Sequence, residues 1–214
     1  MSEVSRIVQR IDTERLRRAR ELSELKVRMT EMEGASKYGV NSKALIVLSY
    51  AHWEGFYNEC VTYYIEALKE ADKKVRDTSW LLLIGVLRPD LQRLRDRNHS
   101  SSAEIEFVER LRSLLDSDFN NFDNMSIRSR SNLNFATLKN NFNILGFDIS
   151  PFQRWRIKID KELVGWRHSV AHGDEPDLSS VDLHRHVQFT QDMLLLLADT
   201  FQNDLFNKSI YSEI

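Results

Sequence analysis

Apolar positions Val4, Ile7, Ile11, Leu16, Ala19, Leu22, Leu25, Met29 and Met32 recur every three or four residues, with Arg15, Arg17, Arg18, Arg20 and several acids between them. This is the period of an amphipathic helix and predicts one long helix over residues 1–34, closed by Gly34. From Ala44 to Leu68 the apolar residues, including Tyr50, Trp53, Phe56, Tyr57, Tyr63 and Tyr64, fall on nearly every side of a helical wheel. Such a helix, with Asn41 placed to cap it, belongs in the middle of a bundle.

Trp80 to Leu87 reads as a short buried segment ended by Arg88-Pro89, because the residue before proline is pushed out of the α region. The polar stretch from Arg93 to Ser102 reads as a loop. Ser101 with Glu104 forms a capping-box pair ahead of Ile105, Val108, Leu111, Leu114 and Leu115. The segment from Asp116 to Asn134, rich in Asn and Ser, is too polar for the core. Leu133, Leu138, Phe142 and Leu145 fit a helix stopped by Gly146. Ser150-Pro151 supplies a cap and an N-terminal proline for a helix carrying Trp155, Ile159, Leu163 and Trp166 towards Gly173. Ser179 with Asp182 opens a last helix bearing Val187, Met193, Leu194, Leu197, Phe201 and Leu205. The expectation is an all-α bundle of six or seven helices forming a single domain over residues 1–214.

Composition narrows the picture. With 214 residues, 42% hydrophobic and 29% charged, the chain has the makings of a globular domain, and only 7 Gly and 3 Pro leave little turn material for an all-β fold. Cys60 is alone, which excludes an intramolecular disulfide and a zinc site built from several thiolates. The first residues lack the apolar stretch of a signal peptide, and the apolar runs are too short to span a bilayer, so a cytoplasmic protein without membrane contact is expected. The formal charge is −2, so any contact with nucleic acid must come from a local patch.

No GxGxxG, Walker loop, HExxH or GxSxG motif is present. Ionisable groups concentrate instead between Asp160 and Asp174, where Arg167, His168 and His172 fall at the end of a helix. His168 and His172, four apart, share a face, whereas Arg167 and His172 diverge by about 140° on an ideal helix. They meet on one phosphate only if the helix bends or a second copy of the chain contributes. Imidazole suits proton transfer near neutrality, and a guanidinium suits phosphate oxygens. Together, without a metal, they suffice for attack by an RNA 2′-hydroxyl on its own phosphodiester. The same residues also read as an ordinary solvated helix end. A metal reading would add His184, His186 or Asp174 to the two histidines. Glu54, in the most apolar helix, must be hydrogen-bonded, paired or protonated, and is either a polar anchor or a support for the site. Arg128 and Arg130 lie in an acid-free stretch that contacts RNA phosphates or is simply solvated.

Arg167-His168-Ser169-Val170-Ala171-His172 has the Arg-polar-x-x-x-His form of the R-x4–6-H motif, and the sequence resembles the HEPN superfamily, the helical domains named for higher eukaryotes and prokaryotes nucleotide-binding. Tyr50-Ala51-His52-Trp53-Glu54-Gly55-Phe56, Ser131-Asn132-Leu133 and Ala171-His172-Gly173 are similar to a bacterial branch associated with toxin and defence ribonucleases. The resemblance implies a homodimeric helical bundle whose two motifs form one cleft, and cleavage of RNA without a cofactor or metal, leaving a 2′,3′-cyclic phosphate and a 5′-hydroxyl. In that scheme Arg167 stabilises charge on phosphorus and His172 moves protons, with His168 in support; Glu54 as a further support and Arg128 and Arg130 on the RNA are expectations from the residues themselves. An antitoxin or a larger defence protein is a further candidate partner. The alternative is a non-catalytic HEPN module that binds such a protein.

Overall fold

The structure, a computed structural model, describes residues 3–31, 39–71, 74–119, 122, 124–129, 132–174 and 182–210. Among these it is helical throughout apart from short turns and one isolated bridge between Lys74 and Asp118. Helix α1 (Glu3–Glu31) and the last helix, α9 (Leu183–Ile210), pack against each other and against α2 (Val40–Glu70). Trp53, Phe56, Tyr57, Cys60, Val61, Tyr64 and Ile65 of α2 are fully buried, so this helix forms the axis of the bundle as its all-round apolarity predicts. Phe147 and Phe201 meet edge-to-face at 4.9 Å, and Tyr64, Phe142 and Phe152 complete an aromatic core in edge-on contacts.

Several expectations are corrected. Leu16 points to solvent, and the inward stripe of α1 is Ile7, Ile11, Arg18 and Leu22. Arg18, only 8% exposed, replaces an apolar side chain because Glu59 binds it at 2.8 Å. Helix α2 starts at Val40 behind Gly39, so Asn41 lies inside it rather than at its cap. Gly34 and Ser179 lie outside the described residues.

Trp80 and Leu81 are exposed, not buried, and α3 (Leu83–Asp96) runs straight through Arg88-Pro89. Proline removes a bond to the carbonyl four residues back, here that of Gly85. Packing of Leu83, Val86 and Leu87 in the core, with the Phe122 ring against Gly85, outweighs that loss. The expected loop from Arg93 is therefore half helix, and the reversal is confined to a turn in which Asn98 and His99 take positive φ. α4 (Ser101–Leu115) has Ser100 as its flanking residue with no side-chain cap, so the Ser101–Glu104 box does not form. Ser102 instead accepts from Arg97. Ile105 and Val108 face outwards.

The segment after Asp116 contributes Phe119, Phe122, Ile127 and Leu133 to the core, contrary to its polar composition. α5 (Phe135–Leu145) is capped by the Asn134 side chain and stopped by Gly146 at φ 78°. Ser150 lies within α6 (Ser150–Gln153), and Asp148 accepts its N–H and O–H from outside. The expected continuous helix to Gly173 is interrupted: α7 (Arg156–Lys158), a π-helical stretch (Ile159–Gly165) and α8 (Trp166–Ala171) follow. α9 is capped by Asp182, whose carboxylate accepts from the backbone N–H groups of His184 and Arg185.

Candidate functional site

The wide π turn ends at Gly165, where an added Cβ would lie 3.3 Å from the Asp160 carbonyl. Asp160 in turn accepts the first N–H of α5, from Phe135, at 2.7 Å. This junction ties the start of α8 to the bundle. The end of α8 is equally defined. Asp174 N–H bonds to the Ser169 carbonyl at 2.9 Å and Gly173 N–H to that of Val170 at 3.2 Å, with Gly173 left-handed at φ 82°. That is a Schellman closure, with His172 as the C-cap residue. Glycine at 173 thus has a structural reason, and its consequence is that His172 is presented to solvent. His168 is also exposed, and the two rings lie 4.3 Å apart between centroids. The i, i+4 expectation for this pair holds.

Arg167 leaves the helix on another side. Its guanidinium lies 4.0 Å over the ring of Tyr50, a cation–π contact across to α2. Tyr50 donates its hydroxyl to Glu54 Oε1 at 2.9 Å and accepts the Leu133 backbone N–H at 2.9 Å. Ser129 Oγ donates to the same Glu54 oxygen. Burial, and then the nearby Glu54 charge, push the Tyr50 phenol up to about 12, so it stays a neutral donor at physiological pH. Glu54 is therefore held by two hydroxyl groups.

These bonds belong to a larger arrangement. Tyr50, Trp53, Glu54, Tyr57 and Asn58 line one face of α2, and their polar tips bond Ile127, Ser129 and Leu133. Trp53 donates to the Leu133 carbonyl at 2.9 Å and Tyr57 to the Ile127 carbonyl at 2.7 Å. Asn58 exchanges two bonds with the Ser129 backbone. Arg128, exposed, sits beside this anchored residue and so has a fixed base. Arg130 lies outside the described residues. Sequence reading singled out Glu54 but not the hydrogen-bonding roles that Tyr50, Asn58 and Ser129 take around it. The signal was the i, i+4, i+8 run of polar-tipped residues Tyr50, Glu54 and Asn58 within an otherwise apolar helix.

The remaining histidines behave differently. His186 is buried against Trp166, with ring centroids 5.3 Å apart. Among the described residues no three His, Cys, Asp or Glu side chains gather as a metal cluster, so the third ligand required by the metal reading is not found there. Nor, among these residues, is any helix long and apolar enough to cross a membrane.

An all-helical bundle that carries an Arg-x4-His motif into a capped helix end defines a HEPN-type protein. The chain matches the family model described as RiboL-PSP-HEPN over residues 13–203, most of its length, and belongs to that family. Membership in the HEPN superfamily points to a nuclease or otherwise RNA-related function. Neither the curated proteins nor the solved structures contain a match to it.

Proposed function

We propose that this chain is a metal-independent endoribonuclease acting as a homodimer, a toxin or defence effector whose two Arg167–His172 motifs share one cleft. The observation that carries the reading is the division of labour on α8: Arg167 is braced on Tyr50, while His168 and His172 stand exposed at a rigid helix end. A braced guanidinium suits a phosphate whose charge grows in the transition state. An exposed imidazole suits proton transfer. The two side chains leave α8 in different directions, so a second protomer supplies the complementary motif.

In the reaction, the 2′-hydroxyl of the substrate gives its proton to an imidazole as its oxygen bonds to phosphorus. The bond from phosphorus to the 5′-oxygen breaks, and that oxygen takes up a proton. The products are a 2′,3′-cyclic phosphate and a 5′-hydroxyl. Arg167 neutralises the pentacoordinate phosphate, with His168 and Glu54 in support. Arg128 and Arg130 hold the RNA backbone.

The test is cleavage of total RNA in EDTA by the parent, Arg167→Ala and His172→Ala. The parent should cut and both variants should lose at least a hundredfold in rate, with His172→Ala keeping its melting temperature. Equal rates in all three would sink the assignment. A parent that cuts no RNA but holds a stable complex with a protein encoded beside it would favour the non-catalytic module.

A further inference from the structure

A cavity of about 240 Å³ is lined by Lys158, Lys161, Glu162, Trp166, Asp182, Arg185 and His186. Its volume is below that of a drug-sized pocket and suits one base or small nucleotide. Glu162, its side chain 21% exposed, makes no hydrogen bond among the described residues. Lys158 Nζ stands off at 3.8 Å, and Nδ1 of His186 lies at 3.5 Å without the alignment of a hydrogen bond. Neither ring nitrogen of His186, itself 1% exposed, has a hydrogen-bond partner. Asp182, by contrast, is committed to capping α9. A largely buried carboxylate backed by an unsatisfied imidazole is an acceptor waiting for donors.

The rim has the opposite sign. Lys158, held over the Phe189 ring at 4.3 Å, joins Lys161 and Arg185 around the mouth. The occupant must therefore offer donors to Glu162 and carry acceptors or negative charge for the cations. Guanine alone among the RNA bases places two donors, N1–H and the N2 amino group, side by side where one carboxylate can take both. Its O6 and N7 are the acceptors that Lys and Arg bind most readily. Adenine, cytosine and uracil each put an acceptor next to the donor, which repels a carboxylate. A phosphate on the ribose suits the remaining ammonium groups.

The geometry points to a guanine-nucleotide subsite at Glu162. It lies on the same run of chain as Arg167, five residues before it. Assigning the guanine to an RNA substrate rests on the ribonuclease reading, whereas nucleotide binding does not.

Titration calorimetry on the full chain with guanosine 5′-monophosphate, the other three ribonucleoside monophosphates and inorganic phosphate tests it. Guanosine monophosphate should bind at least tenfold tighter than any other. Glu162→Gln, which turns one acceptor into a donor, should cost at least tenfold. If Glu162→Gln fails to fold, Lys161→Ala, at an exposed position, should weaken guanosine monophosphate severalfold. Equal affinity for the four nucleotides, phosphate binding as tightly as the nucleotide, no binding, or intact binding in the variants would each overturn the subsite. Selective binding with no cleavage of any RNA would leave the subsite standing and remove the ribonuclease. Cleavage with no guanine preference and no nucleotide binding would do the reverse.

Discussion

The guanidinium of Arg167 rests 4.0 Å above the ring of Tyr50, whose hydroxyl is committed on its other side to Glu54 and to the Leu133 N–H. One aromatic residue thus braces the charge proposed to meet phosphate and fastens the chain segment that carries Arg128. The two duties separate by substitution. Tyr50→Phe keeps the ring but leaves a buried N–H without its acceptor, at about 1–3 kcal/mol, or roughly 2–4 °C in Tm for each kcal/mol. Tyr50→Ala also removes the stacking, worth about 0.5–2 kcal/mol, so RNA cleavage should fall about tenfold further than in Tyr50→Phe. Equal loss in both variants would mean that the hydroxyl, not the ring, matters to Arg167.

His52 faces the opposite side of α2, with Nδ1 3.4 Å from Arg18 and Nε2 3.5 Å from Glu21. Burial, and after it the Arg18 charge, lower its pKa below the usual 6.5. The unfolded chain therefore takes up a proton at a pH where the folded one still resists it. The stability held by neutral His52 is complete above about 6.5 and declines as pH falls from there towards the folded-state value. Melting temperatures of the parent and His52→Gln between pH 7.5 and 5.5 should show a steeper fall for the parent. Parallel curves would show that His52 is not the group responsible.

Helices and core were legible where burial imposes a period, as in α5 and α9, or apolarity all round, as in α2. What escaped was structure held by single long-range contacts. Phe119, Phe122, Ile127 and Leu133 enter the core at irregular spacing, the last two anchored by the polar tips of α2, so no periodic pattern marks them. Arg18 was hidden because a buried guanidinium needs a partner that only the fold supplies, Glu59. At the site, the helix-end placement of His168 and His172 could be read from Gly173, but the brace on Arg167 could not, since Tyr50 comes from a different helix. The His-Trp-Glu-Gly stretch looked like one motif, yet His52 and Gly55 face α1 while Glu54 faces the Ser129 segment.

Two glycines test that view of packing. An added Cβ at Gly85 would lie 2.3–2.8 Å from three atoms of the Phe122 ring, whereas at Gly55 it would meet the tip of Arg18 at 3.1–3.3 Å. A ring in a packed core cannot withdraw, but a guanidinium can shift. Gly85→Ala should cost about 1–3 kcal/mol despite alanine's better helix propensity, and Gly55→Ala less. Chemical denaturation measures both, and the reverse ranking would place the tight contact at Arg18.

Gly173 makes a sharper link to function. It has φ 82° and no atom within 4 Å of an added Cβ, so Gly173→Ala meets only backbone strain, about 1 kcal/mol. The strain falls on the turn that presents His172. Cleavage should drop severalfold while Tm moves by about 2–4 °C. Unchanged cleavage at that cost would detach His172 from the chemistry.

Glu54 supplies the last test. Its Oε1 accepts from Tyr50 and Ser129, both of them hydroxyls rather than cations. Glu54→Gln retains a carbonyl oxygen in the same place, so both bonds survive in weaker, neutral form, at about 1 kcal/mol or less. Glu54→Ala strands two hydroxyls and loosens the segment bearing Arg128, at about 2–4 kcal/mol for two such groups. If Glu54 acts only as an anchor, cleavage should follow this ranking, with Gln close to the parent and Ala impaired. A Gln variant that folds normally yet loses cleavage as completely as Ala would show instead that the charge itself is needed at the cleft.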